Sequence, residues 1–292
     1  MNVDTFSEWL RRQGHRVVQT DSSHWFDRGP RVFMAFPWHR LIRPSHEELQ
    51  RLLRSENAAA LRFSGPADSA EGALGYDVVL ESNSYDIADV SHSTRSKVRK
   101  ALERCEIIPL TFERYAREGW VLEADTRDRQ GRTSRGGKES WEKMARAAAD
   151  LKGFEAWGAT VDGRLAASLM FVQIDDCATM LYQQSHRDYW PLNVNNAFTF
   201  AITRMLTRRA GVRTIHYGLK GLDAKPTVDE FKFHLGYSRR PLRERVVFHP
   251  LVAPLVNRTT HALLKSAQAK WKDSVLLSKG EGLVRAFLHG RP

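Results

Sequence analysis

A short segment late in the chain, residues 229–237 with the sequence DEFKFHLGY, combines a charged pair, aromatic side chains and a single lysine. Two interpretations are open for Lys232. Its ammonium group either faces solvent on a short helix or neutralises negative charge that develops during a reaction. Glu230 is the nearest carboxylate, and it either acts as a general base or stabilises the helix from its first turn. Lys232 and Glu230 are therefore catalytic candidates, and Phe231 is a candidate for contact with a substrate.

Two tyrosines near this segment offer hydroxyl groups. Tyr217 and Tyr237 are each either a proton donor or a structural residue at the end of a strand, and Tyr217 is the third catalytic candidate. The histidines 186, 216 and 234 show no catalytic spacing. The chain has no Gly-x-Ser-x-Gly motif, no Walker loop and no zinc pattern. Because Cys105 and Cys177 also lack metal-ligand spacing, we expect free thiols and no metal.

A run of polar residues follows Pro191 in the sequence RDYWPLNVNNAF. Asparagine is a good N-cap, so this run predicts the start of a helix. The unpaired N–H groups of a helix start also attract phosphate. Both interpretations can hold together, and they make Asn193, Val194, Asn195 and Asn196 the candidates for cofactor binding.

Basic residues occupy two places where an anion would bind. Arg95 and Lys97 lie in the first turn of a predicted helix, where acidic residues are favoured, and a broken local rule often marks a function. Such side chains also pair elsewhere. The second place is the glycine-containing loop DRQGRTSRGGKES with Arg129 and Arg132, which is either a mobile solvated loop or an anion site. Arg95, Arg129 and Arg132 are thus candidates for substrate binding.

The elements that must position these residues follow from hydrophobic spacing and turn chemistry. In the first half we predict an aromatic strand pair, a helix capped by Ser45, two strands, a helix from Ser93 and a strand. Helices on both sides of the basic loop follow, the second capped by Ser140.

The second half begins with strands joined by turns at Asp162-Gly163 and Asp175-Asp176. We then expect a helix that ends at Gly211, a strand, the short helix with Lys232, a strand and a basic helical tail. No solenoid repeat is present in the sequence.

Composition sets the broad class of the protein. The chain has 292 residues, of which 42% are hydrophobic and 27% charged, as is typical of globular proteins. Its net charge of +11 indicates either anionic partners such as nucleic acid, lipid or phosphorylated molecules, or no specific partner. No apolar run is long enough to span a membrane, and the N-terminus lacks a signal-peptide pattern, so we expect a cytoplasmic protein.

The order of elements in the second half resembles the core of the GNAT acyltransferase superfamily. A narrower resemblance is to Fem-type peptidoglycan-bridge aminoacyltransferases and their acetyltransferase-like relatives. It rests on the segments SYDIADVSHSTRSKVRKALERCEI, NNAFTFAITRMLTRRAGVRTIHYGLKG and EFKFHLGY, and it extends from about Asp77 to Tyr237. The turn before Asn196 lacks the spaced glycines that the superfamily has at that position.

This resemblance implies a mixed α/β fold of two packed GNAT-like lobes with an active cleft between them. In the family the lysine that matches Lys232 lies in the cleft. We predict an N-terminal lobe over residues 1–150, a GNAT-like core over 151–250 and a basic helical tail over 251–292.

The resemblance also implies an activity. We predict an acyltransferase that moves an acyl group from acyl-CoA to an amine on an anionic acceptor, such as a cell-envelope or nucleotide-sugar precursor. One alternative keeps the fold and uses aminoacyl-tRNA as donor. The other is a non-catalytic anion-binding module, which the missing glycines favour. Peripheral membrane contact is a further possible interaction.

Overall fold

The computed structural model describes residues 2–129, 136–219, 229–271 and 274–290. Helices and strands alternate through most of this part of the chain. The helices are α1 Val3–Arg12, α2 His46–Ser55, α3 His92–Leu102, α4 Phe112–Arg129, α5 Lys138–Arg146, α6 Val194–Thr207, α7 Glu230–His234, α8 Arg258–Lys270 and α9 Val275–His289. The strands are β1 Val17–Gln19, β2 His24–Gly29, β3 Val32–Phe36, β4 Ala60–Pro66, β5 Ala73–Glu81, β6 Glu106–Leu110, β7 Phe154–Val161, β8 Arg164–Ile174, β9 Cys177–Ser185, β10 Thr214–Leu219 and β11 Ser238–Phe248.

The chain divides into two compact units. In the described part, the first unit contains residues 2–13, 78–129, 136–218 and 229–238, and the second contains 14–77, 219, 239–271 and 274–290. Each unit is an α/β structure, so the predicted mixed α/β fold is confirmed. The boundaries at residues 150 and 250 stay a prediction.

In the first unit, strands β6 to β10 follow one another in the sheet in sequence order. Neighbours from β6 to β9 are antiparallel, whereas β9 and β10 are parallel and are connected through α6. The hairpin between β7 and β8 turns at Asp162 and Gly163, whose φ angles of 50° and 75° confirm the predicted turn. Asp175, with φ of 54°, forms the predicted turn between β8 and β9.

Aromatic residues fill the core of the first unit. The rings of Phe6 and Trp9 on α1 pack against Phe154 at centroid distances of 6.1 and 5.3 Å, and the Trp9 indole donates to the carbonyl of Met144 at 3.0 Å. Because a buried indole N–H needs an acceptor, this bond fixes the position of α1 in the unit.

The second unit has the strand order β1, β2, β3, β4, β11. Here β3 and β4 are the parallel pair, connected through α2, and the other neighbours are antiparallel. Ser45 caps α2 as predicted, because its hydroxyl accepts from the Glu48 N–H at 3.1 Å. A cluster with Trp25, Phe33 and Leu53 forms the core of this unit.

Two predicted helix ends are wrong. The helix α5 begins at Lys138 with Gly137 as its N-cap, so Ser140 lies inside its first turn and does not cap it. The helix α6 ends at Thr207, before Gly211. Arg129, which we predicted in the loop, is the last residue of α4. Helix ends depend on tertiary contacts as well as on local propensity, so their exact positions are the least predictable part of an element.

Candidate functional site

The parallel strands β9 and β10 separate after a short pairing. They pair at Thr214 with Cys177, Ile215 with Ala178, and His216 with Thr179. An open pocket of about 580 Å³ lies where the strands continue, and all the residues that line it belong to the first unit. They are Thr126, Arg129, Met180, Leu181, Tyr182, Gln183, Gln184, Ser185, Trp190, Asn195, Tyr217 and Phe231.

Four residues that the sequence suggested for chemistry line this pocket together. Arg129 comes from α4, Asn195 from α6, Tyr217 from β10 and Phe231 from α7. They are separated by as many as about a hundred residues in sequence, and the fold brings them to one opening.

Tyr217 presents a neutral phenol to the pocket. Burial raises the pKa of its hydroxyl well above the ordinary value of a tyrosine, so the group stays protonated at neutral pH. The hydroxyl donates to Oε1 of Gln183, and Nε2 of Gln183 donates in turn to the hydroxyl of Thr199 at 2.8 Å. The Tyr217 ring also contacts the Tyr237 ring edge to face, with centroids 5.1 Å apart. These contacts fix the orientation of the phenol.

Lys232 lies beside the pocket and contacts one of its walls. Its Nζ is 4.7 Å from the centroid of the Tyr217 ring and 2.8 Å from Oδ1 of Asp229. The lysine side chain is only 15% exposed, so it does not occupy the solvated face of α7. Glu230, on the same helix, is exposed and does not line the pocket.

The start of α6 carries no negative charge of its own. Its N-cap, Asn193, has a left-handed backbone with φ of 56° and makes no side-chain cap, and the first turn contains no acidic residue. The side chain of Val194 is buried. Asn196 donates its N–H to the carbonyl of Asn193 at 3.0 Å. The Asn195 amide faces the pocket, where Nδ2 donates to the Ser185 hydroxyl at 2.7 Å and Oδ1 has no hydrogen-bond partner among the described residues.

Arg129 is anchored on another wall of the pocket. Its Nε donates to Asp125 at 2.9 Å, its Nη2 donates to the carbonyl of Ser185 at 3.0 Å, and its guanidinium lies 4.2 Å from the centroid of the Trp190 ring. Burial by itself would raise the pKa of Asp125, but hydrogen bonds from Arg187 and Arg129 outweigh it and lower that pKa. The pair therefore stays ionised and holds the arginine in place.

Sequence reasoning missed a buried polar residue of β9. Gln184 lines the pocket and is 5% exposed, and its Oε1 has no hydrogen-bond partner in the described part of the chain. The hydroxyl of Ser168, its neighbour across the β8–β9 ladder, is also buried without a partner there. A buried acceptor without a donor costs free energy, so it indicates a place for a ligand or an ordered water. The signal in the sequence was the polar run QQS at the end of an otherwise apolar strand.

One predicted substrate residue, Arg95, does not line the pocket. Arg95 donates from Nε to the carbonyl of Val90 at 2.8 Å and from Nη2 to that of Ala88 at 2.7 Å. It thereby holds the turn that precedes α3. Arg132 lies outside the described residues. Within the described ranges no group of His, Cys, Asp and Glu side chains has the arrangement of a metal site.

Comparisons with solved structures identify the fold. The C-terminal domain of a putative lysylphosphatidylglycerol synthetase from Agrobacterium fabrum matches with a TM-score of 0.61 and 11% identity, over 90% of this chain and 91% of that one. FemX matches with a TM-score of 0.59 and 12% identity, over 85% and 92% of the two chains. A tandem GNAT protein from the clavulanic acid biosynthesis pathway matches with a TM-score of 0.50 and 15% identity, over 80% and 81%.

The chain therefore has a GNAT-like fold similar to those of FemX and the synthetase domain, and the predicted GNAT-like fold is confirmed. No protein-family model matches the sequence, and no curated protein matches it significantly. At these identities the structural likeness establishes the fold alone.

Proposed function

We propose that this protein transfers an acyl group from an activated donor to an amine. The observation that carries the proposal is the pocket between the diverging ends of β9 and β10. A neutral phenol, from Tyr217, and a carboxamide whose oxygen has no hydrogen-bond partner among the described residues, from Gln184, line it together. A proton donor and a hydrogen-bond acceptor in one opening match the needs of acyl transfer, in which a leaving group gains a proton and an amine must be oriented.

Acyl-CoA is the proposed donor. Its flexible arm carries amide groups, which would pair with the β9 backbone where β10 has separated, as a strand adds to a sheet edge. Its phosphates would lie at the start of α6, where Val194 and Asn195 provide backbone N–H groups and the first turn has no acidic side chain.

The proposed reaction is direct attack of the amine nitrogen on the acyl carbonyl carbon. A C–N bond forms and the C–S bond breaks, and the thiolate takes the proton of the Tyr217 hydroxyl, whose O–H turns from Oε1 of Gln183 to the sulfur. The Gln184 oxygen accepts from the amine N–H and so directs the nitrogen lone pair at the carbonyl. The nitrogen releases its extra proton to solvent, because Glu230, the base that the sequence suggested, is exposed and does not line the pocket. Tyr217 then regains its proton from solvent.

Lys232 acts on this reaction through Tyr217. As the phenol gives up its proton, negative charge grows on a ring whose centroid is 4.7 Å from the lysine ammonium. A nearby cation lowers the free energy of that charged state. Phe231 provides an apolar contact for the substrates, and Arg129 faces a negative group on the acceptor, such as a phosphate of a cell-envelope or nucleotide-sugar precursor.

Aminoacyl-tRNA is a second candidate donor. The net charge of +11 and the pI of about 9.9 favour it, because a basic surface attracts the phosphate backbone of RNA. The chemistry in the pocket would be the same, with the tRNA ribose oxygen as leaving group in place of sulfur.

A ligand panel and a turnover assay test the proposal. We expect acetyl-CoA, a longer acyl-CoA or aminoacyl-tRNA to raise the melting temperature, because a ligand that binds only the folded state stabilises it. Release of free thiol from acyl-CoA, or of deacylated tRNA, in the presence of amine acceptors then measures transfer. Tyr217→Phe should lower kcat by roughly 100-fold or more.

Tyr76→Phe, a tyrosine of the second unit, is the matched control and should leave kcat unchanged. If no donor stabilises the protein and no acceptor supports turnover, the pocket belongs to a non-catalytic binding module.

A further inference from the structure

A basic and apolar segment follows the last strand of the second unit. Residues 251–271 contain Arg258, Lys265 and Lys270 and no acidic residue. They also carry four large apolar side chains that are more than half exposed: Leu251 at 80%, Leu255 at 67%, Leu263 at 67% and Trp271 at 55%. We call the exposed side chains of residues 251–271 the tail surface.

The exposed positions of α8 form one stripe. Thr259, Ala262, Leu263, Ser266 and Lys270 are spaced by three, four and seven residues and lie on one side of the helix. Arg258 and Lys265 are exposed next to that stripe. The other side of α8 is held to α9, where Nε2 of His261 lies 2.8 Å from Oε1 of Glu281. No residue of α8 is fully buried, and the residues of its outer stripe are all exposed.

Large exposed apolar side chains with basic side chains between them are typical of surfaces that lie on a membrane. We infer that the tail surface binds an anionic lipid bilayer, with Leu263 and Trp271 entering the interface and the three basic side chains contacting lipid phosphates. Trp is favoured at that depth because its ring is apolar and its N–H is polar. In the described part of the chain no helix is long and apolar enough to cross a bilayer, so the contact is peripheral.

The pattern of charged and apolar side chains argues against two other partners for the tail surface, a second copy of the chain and RNA. A symmetric contact between two copies through α8 would place basic side chains against basic side chains, with no carboxylate in residues 251–271 to compensate. RNA would pair with the basic groups but would leave the exposed leucines in water. An anionic bilayer satisfies both the charges and the apolar side chains.

Flotation of the full chain with lipid vesicles tests this inference. We expect binding to vesicles that mix phosphatidylglycerol with phosphatidylcholine, weaker binding to phosphatidylcholine alone, and loss of binding as salt is raised. Each basic side chain near an anionic bilayer changes the partition coefficient about fivefold, so Lys265→Gln with Lys270→Gln should lower it roughly 25-fold. Leu263→Ser should lower it roughly tenfold.

Two exposed residues of the same unit provide matched controls. Arg54→Gln removes an exposed positive charge outside the tail surface, and Leu74→Ser removes a leucine that is 72% exposed. Both should bind vesicles as the wild type does. The inference is overturned if the wild type does not float with anionic vesicles, or if the tail variants float as well as the controls. It is also overturned if Leu263→Ser instead converts a dimer into a monomer in sedimentation, or if only tRNA binding is lost.

Discussion

Two parallel strand pairs, one in each unit, have the same local topology but differ in how the space beyond the paired residues is occupied. In each unit a strand, a helix and a second strand form a parallel crossover: β3, α2 and β4 in the second unit, and β9, α6 and β10 in the first. Both pairs also stop after three residue pairs. In the first unit the space beyond is an open pocket of about 580 Å³ with polar walls.

In the second unit, side chains and a loop of the chain itself lie beside the corresponding strand ends. The Ile42 N–H donates to the carbonyl of Ser64 on β4 at 2.9 Å, and the Trp25 and Phe63 rings meet edge to face at 5.8 Å. A smaller pocket of about 210 Å³ lies there, bordered by Ile42, Phe63 and Gly65 among others. A parallel crossover therefore does not by itself create a binding site. The residues around its strands determine whether the space beyond the paired residues stays open.

The N-termini of the two crossover helices also differ, because that of α2 is compensated by its own residues and that of α6 is not. Ser45 caps α2, and Glu47 and Glu48 lie in its first turn, so the positive end of that helix dipole is already compensated. The helix α6 has neither a side-chain cap nor an acidic residue in its first turn. Of these two helix starts, only that of α6 is suited to receive a negative ligand.

The largest expected effect concerns the charge beside the open pocket. Lys232→Met keeps the length of the side chain and removes the ammonium next to Tyr217. If the cation stabilises charge that exists only in the transition state, kcat and kcat/KM should fall together, by ~100- to 1,000-fold, with substrate affinity nearly intact. Steady-state kinetics of the transfer reaction measure this.

Asp229→Asn is the informative partner variant, because it removes the carboxylate that neutralises Lys232 and leaves the ammonium in place. Its kcat should stay far closer to that of the wild type. Wild-type turnover in Lys232→Met would show that the lysine only packs on Tyr217.

The next effect concerns the start of α6. Asn195→Glu would give this helix the first-turn charge that α2 already carries. If donor phosphates lie there, the affinity for CoA should fall roughly tenfold, because the carboxylate repels them and occupies the helix N–H groups. Asn195→Gln, which has the same size without the charge, should bind CoA more tightly than the glutamate variant. Equal dissociation constants for the two variants would place the phosphates elsewhere.

A smaller effect concerns pH. The pKa of Asp125 is lowered in the folded protein, so the folded state binds fewer protons than the unfolded state in acid. This contribution to the free energy of unfolding is complete above the unfolded pKa of about 3.9 and is lost as pH falls through the lower folded value. Asp125→Asn should therefore flatten the acid part of the stability profile, measured by urea unfolding at several pH values.

Asp128, which also pairs with Arg187, is 72% exposed and supplies the control. Because exposed ion pairs contribute little, Asp128→Asn should keep the acid dependence of the wild type. A profile of Asp125→Asn that is as steep as that of the wild type would assign the acid dependence to other carboxyls.

Much of this structure could be predicted where local chemistry determines it. The turn at Asp162 and Gly163 and the cap at Ser45 each depend on a few neighbouring residues, and both predictions are confirmed. The predicted helix ends at Ser140 and Gly211 were wrong. Several adjacent residues are suitable for ending a helix, and tertiary packing decides which of them does so.

The pocket residues could likewise be predicted from the sequence only where their residue type suggested a function. Asn195 and Tyr217 could be proposed from their residue types, whereas Gln184 matters only because β9 and β10 separate beside it, which no local pattern encodes. The prediction that Arg95 and Lys97 lie in the first turn of α3 is wrong for Lys97, which is the sixth residue of the helix. The sequence could not distinguish an anion site at Arg95 from the observed role, in which Arg95 binds two backbone carbonyls.

The smallest expected effect tests the two helix starts without any ligand. Ser45→Ala removes the hydroxyl that accepts from the Glu48 N–H, so the free energy of unfolding should fall by about 1 kcal/mol. Asn193→Gly removes no side-chain cap, and glycine tolerates the left-handed backbone at that position, so the change should be within a few tenths of a kcal/mol. Urea unfolding at neutral pH measures both. Similar losses in the two variants would show that Asn193 caps α6 in solution, and the contrast between a compensated and an uncompensated helix start would then be lost.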